Sequence, residues 1–134
     1  MWYNTELTKD LNITYPIIQA GMAGGPTTAE LVAAVSNAGG LGTLGAGYMT
    51  ALDLRDTIQK IRSLTDQPFG VNLFVPEPTF IEEEKIEAMR EKLEDFYTEL
   101  NVSQPSFDAN NLPNFAEQIQ VIIEEKVPVF SCTF

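Results

Sequence analysis

Short segments that are apolar on nearly every residue alternate along this chain with longer segments whose apolar residues recur every three to four positions. A strand apolar on both faces needs cover on both faces, which is the situation of a parallel sheet clothed by helices. Strands are expected at 16–22, 41–45, 69–75 and 127–134. Between them, a helix over 27–38 starts at a Thr27-x-x-Glu30 capping box, carries Leu31, Val35 and Ala38 on one face, and is closed by Gly39 and Gly40. A second helix, over 50–64, starts at Thr50-x-x-Asp53 and keeps Leu54, Ile58 and Ile61 in step. A long charged helix is expected over 79–100 and a further one over 113–126, the latter with Phe115, Ile119, Ile122 and Ile123 inward. Strands joined by helices imply right-handed crossovers and an α/β fold.

Two architectures meet this pattern, an open doubly wound sheet and a section of a (β/α)8 barrel. The last segment, Val-Phe-Ser-Cys-Thr-Phe, is an apolar strand with no covering helix after it. A full barrel takes about 250 residues, and the chain has 134. The expectation is therefore the first four β/α units of a TIM barrel, truncated after the fourth strand, with residues 1–134 as one domain and a helical insertion at about 79–110. Eight Lys and Arg against 19 Asp and Glu give a formal charge of -11, which repels a phosphate backbone, so nucleic acid is not an expected partner. The amino terminus lacks the basic and apolar regions of a signal peptide, and no apolar run approaches the roughly 18 residues of a membrane span. The chain reads as cytoplasmic with no membrane partner. In the charged helix, Ile86, Met89, Leu93, Phe96 and Leu100 form a heptad-like seam, read as the packed face of an amphipathic helix. Cys132, with no base beside it in sequence, is read as a small core residue.

The first strand stops in a glycine-rich loop, Gln19-Ala-Gly-Met-Ala-Gly-Gly25. Small residues there let a flat or phosphorylated ligand approach the backbone. A second glycine cluster, Gly40-Leu-Gly-Thr-Leu-Gly45, spells the G-x-G-x-x-G dinucleotide fingerprint. Its context is wrong, because the fingerprint follows a strand and opens a helix, whereas here the glycines follow a helix. Close packing accounts for them. Asn72 is a carboxamide between Val71 and Leu73 in an apolar strand, near the carboxyl end where barrel active sites are built. Such a side chain needs partners for both donor and acceptor, from a neighbouring backbone or from a ligand.

Three blocks, residues 15–24 (YPIIQAGMAG), 35–42 (VSNAGGLG) and 69–76 (FGVNLFVP), closely resemble the nitronate monooxygenases, formerly called 2-nitropropane dioxygenases, in order and in spacing. The resemblance covers essentially the whole chain. It implies an FMN-dependent (β/α)8 barrel that oxidises alkyl nitronates with O2. It also implies cofactor-binding roles for Ala20, Met22, Ala23 and Gly24, through backbone groups against the flavin ring, and for Asn72. Gly45 and Gly47 are expected to face the substrate space. The catalytic histidine of that family lies in a Gly-Gly-His segment beyond the fourth strand, and this chain has no histidine. The phosphate site, built by loops after strands seven and eight, is likewise expected outside it. No catalytic residue and no metal ligand is assigned here, and the chain by itself is not expected to be active. Flavin-dependent enoyl-ACP reductases share the same blocks and remain an alternative. A standalone half-barrel that dimerises through its exposed sheet edges, as a binding or scaffold module, is another.

Overall fold

A computed structural model of the chain describes residues 1–76, 82–105 and 112–134. Two compact units emerge, one of Met1–Val75 with Leu112–Phe134, the other of Pro76–Asn111.

The larger unit is built on three parallel strands, β1 (Gly42–Gly45), β2 (Phe69–Phe74) and β3 (Val129–Thr133), in that order. Gly45 pairs with Asn72, and Asn72 in turn with Ser131. Because side chains alternate along a strand, Leu44, Val71 and Leu73 share one face of the sheet, and Asn72, Ser131 and Thr133 share the other. Its helices are α1 (Glu6–Asp10), α2 (Ala29–Asn37), α3 (Ala51–Leu64) and α5 (Phe115–Glu124). Val32 of α2, Leu54, Ile58 and Ile61 of α3, and Val121 and Ile122 of α5 bury themselves with Leu44, Phe69, Val71 and Leu73 in one core. The smaller unit holds α4 (Glu83–Glu99). Its seam residues Met89, Phe96 and Leu100 are exposed, and no α4 residue is buried. The helix start expected at 79 lies outside the described residues, as do parts of the insertion expected at 79–110. Among the described residues no helix is long and apolar enough to cross a membrane.

Local chemistry decides where each element begins and ends. Thr50 caps α3 by accepting from the Asp53 N–H at 3.1 Å. Gly39, at φ +93°, ends α2, and the Gly40 N–H returns to the Val35 carbonyl at 3.1 Å. The cap of α2 is Thr28 rather than Thr27, since Thr28 accepts the Leu31 N–H and the Thr27 hydroxyl is engaged elsewhere. Arg55 of α3 pairs with Glu124 and Glu125 at the end of α5. Hydrogen bonds from Gln120 and then Arg55 hold the Glu124 carboxyl below its usual range. Its small stabilisation is therefore present at neutral pH and lost as the pH falls through that lowered value.

Three further expectations are corrected. The segment 16–22 is not a strand: it makes a single bridge, Ile18 with Leu41. Beyond that bridge the Gln19 carboxamide takes over the ladder, accepting from Thr43 N–H and donating to Thr43 C=O, each at 3.2 Å. The main chain is thereby released from the sheet edge at Ala20. Ile123 is 62% exposed, because it lies about 100° round the helix from the buried Ile122. The buried polar residue of α5 is Gln118, which donates to the carbonyls of Ala46 and Met49 at 3.1 and 2.7 Å. Cys132 is exposed, since β3 is the end strand of the described sheet and the helical cover stops at β2. The glycines at 42 and 45 are bare for packing reasons: a Cβ on Gly42 would overlap the Val32 carbonyl of α2.

Candidate functional site at the carboxyl ends of the strands

The carboxyl ends of β1 and β2 bring Gly45 and Asn72 side by side. The glycine-rich loop is laid directly over them. A Cβ on Gly45 would stand 2.5 Å from Ala23 N and 2.6 Å from Met22 N, and one on Gly21 would stand 3.1 Å from the Asn72 Cβ. Backbone therefore rests on backbone at Gly45, which corrects the expectation that Gly45 faces open substrate space. Gly47 is likewise occupied, its Cβ position lying 2.5 Å from Phe74 Cε2.

Thr27 holds this arrangement in place. Its buried hydroxyl donates to the Met22 carbonyl at 2.9 Å and accepts the Gly45 N–H at 2.8 Å, joining the loop to the end of β1. Thr27→Val keeps the shape but leaves both backbone groups without that partner. It is expected to cost about 1–3 kcal/mol, read as a lowered urea midpoint of the full-length protein at unchanged slope.

The loop residues named from the sequence are brought together here. Ala20 and Gly24 are exposed, Met22 is 44% exposed, and Ala23 is half-buried. Gly24 and Gly25 adopt φ of +86° and +112°, which turns the loop back toward α2 at positions where a side chain would be strained. Around its rim the Tyr48 ring meets that of Phe74 edge-on, at 5.3 Å between centroids.

Asn72 is half-buried, and its carboxamide is not idle. Nδ2 donates to Ser131 Oγ at 2.9 Å and to Thr133 Oγ1 at 3.2 Å. Its partners are therefore side chains of the next strand, not a neighbouring backbone. Sequence reasoning missed Ser131 and Thr133. The signal was there, since two hydroxyls spaced by two in an otherwise apolar strand belong to one face.

The site's side chains are hydroxyls, a carboxamide, a thioether and aromatic rings, groups that can bind and orient a ligand. The groups with displaced titration sit on the covering helices: Glu30, lowered first by its hydrogen bond from Lys60, and the Arg55–Glu124 pair. Among the described residues no group of three His, Cys, Asp or Glu is placed to hold a metal ion.

A family model described as nitronate monooxygenase matches residues 4–134. The chain belongs to the nitronate monooxygenase family. A probable nitronate monooxygenase of Staphylococcus haemolyticus is 52% identical over all 134 residues, and the chain spans 37% of that protein's length. Among solved structures, nitroalkane oxidase from Streptomyces ansochromogenes superposes with a TM-score of 0.81 at 35% identity, covering 97% of this chain and 36% of that one. FabK from Thermotoga maritima superposes with a TM-score of 0.65 at 34% identity, covering 96% and 30%. The chain thus spans a little over a third of the length of the curated relative and of the nitroalkane oxidase.

Proposed function

We propose that this chain forms the first four β/α units of an FMN-dependent nitronate monooxygenase, the segment bridged at Ile18–Leu41 standing in the place of the first strand beside β1, with a helical insertion at about 79–110, and that the parent protein oxidises alkyl nitronates with O2. The observation that carries the reading is the glycine-rich loop resting on Gly45 and Asn72 at the carboxyl ends of the strands, the end at which barrel enzymes place their sites. The residues suit a flat, polar-edged group: Ala20, Met22, Ala23 and Gly24 offer main chain with little side chain over it, and Asn72 offers a carboxamide. Bound there, FMN would supply the one-electron chemistry with O2. The chain's own part is to position it. Thr27 fixes the height of the loop over β1, Gly21 lets it settle on Asn72, and the positive φ angles of Gly24 and Gly25 keep side chains out of the approach. The lower TM-score of FabK, 0.65 against 0.81, makes it the weaker alternative.

The full-length protein should purify with FMN, identified by chromatography of the released cofactor, and should consume O2 when an alkyl nitronate is added. NADH-dependent reduction of an enoyl thioester without nitronate oxidation would overturn the assignment in favour of the reductase alternative.

A further inference from the structure

We propose that Ser131 and Thr133 are positioning residues for the flavin site, acting through Asn72; this rests on the reading that Asn72 contacts the cofactor. The register places Asn72 opposite Ser131, with Thr133 two residues further along the same face. The carboxamide is gripped at both ends. Its Cβ lies under the Gly21 main chain, and its Nδ2 is held by two hydroxyls at 2.9 and 3.2 Å.

That grip has a chemical consequence. A carboxamide has two N–H donors and one oxygen acceptor with two lone pairs. Both donors are directed at Ser131 and Thr133, while Oδ1 has only the Thr133 hydroxyl, at 3.4 Å. The atom left for a ligand is an acceptor, suited to an N–H group such as the one in the pyrimidine portion of a flavin. An Asn freed from the hydroxyls would sample other rotamers and lose this preference. Both hydroxyls lie on the sheet face of Asn72, opposite the face that carries Leu44, Val71 and Leu73 into the core.

The test uses the full-length protein, stripped of cofactor and titrated with FMN, with the flavin's visible absorption band recorded at saturation. Asn72→Ala and the double variant S131A/T133V are each expected to raise the FMN Kd about tenfold, as for the loss of one hydrogen bond. Both should shift the absorption band in the same sense. The conservative double variant S131T/T133S should restore Kd to within about twofold of the parent. If S131A/T133V does not fold, Ser131→Ala and Thr133→Val carry the test singly. A normal Kd and band for the hydroxyl variants beside a weakened Asn72→Ala overturns this proposal alone. A normal Kd for Asn72→Ala overturns both it and the cofactor reading beneath it.

Discussion

Gly45→Val in the full-length protein is expected to remove bound flavin and to lower folding stability by about 3 kcal/mol, the upper end of the usual cost of overpacking. The size follows from what the new side chain meets. It meets main chain, with Met22 N and Ala23 N at 2.5–2.6 Å from the Cβ position, and main chain cannot rotate away as a side-chain tip would. The loop is also tied down from below, because Thr27 bonds both Met22 and Gly45. Moving the loop off the valine therefore means breaking that clamp as well. Gly25→Ala is the control: nothing lies within 4 Å of its Cβ position, so its cost is confined to the strain of φ +112°. The ratio of flavin to protein absorbance, with a urea titration, reads both effects. A Gly45→Val protein that keeps a full complement of flavin would show that the loop is not a cofactor wall.

Phe69→Ala is expected to cost about 3–5 kcal/mol while leaving the FMN affinity of the folded protein unchanged. Phe69 is 2% exposed, packs in the core beneath α3, and carries the Arg62 guanidinium 5.6 Å above its ring. It also opens β2, at the opposite end of the strand from Phe74 and three residues before Asn72. Its loss therefore leaves a cavity at the foot of the sheet rather than at the site. A loss comparable to the whole stability of a marginal domain, about 5–15 kcal/mol, is read from the denaturation midpoint. A cost below about 1 kcal/mol would contradict the core described for this chain. Gly45→Val and Phe69→Ala thus separate the site from the scaffold.

The residues show how much of this was legible in advance. The strands of 41–45 and 69–75 and the cap at Thr50 are visible because continuous apolar runs and a Thr-x-x-Asp signature are local properties. Residues 16–22 read as a strand for the same reason, yet the side chain of Gln19, which no periodicity describes, replaces the backbone ladder. Thr27 and Thr28 are chemically interchangeable as caps. Only the tertiary partners Met22 and Gly45 claim Thr27 for a different task. α1 is five residues long, too short to display a period, though Thr5 and Thr8 form a reciprocal capping pair. Gln118 is hidden for a related reason: a glutamine on a helix reads as solvent-facing until two carbonyls of a distant loop are placed beside it. The loop and Asn72 were legible as candidate site residues from small size and from polarity out of place. What joins them is tertiary: the clamp at Thr27 reaches Gly45 across 18 residues, and the hydroxyls at 131 and 133 meet Asn72 only through the register of strands 59 residues apart at the Asn72–Ser131 bond.

The central claim is that the loop over Gly45 and the side chain of Asn72 together form one wall of a flavin site. It is tested most directly by a crystal structure of the full-length protein grown with FMN. The expected result is a flavin ring against the main chain of Ala20, Met22, Ala23 and Gly24, with Asn72 Oδ1 within hydrogen-bond distance of a ring N–H. A flavin bound elsewhere, with Asn72 contacting only Ser131 and Thr133, would contradict it.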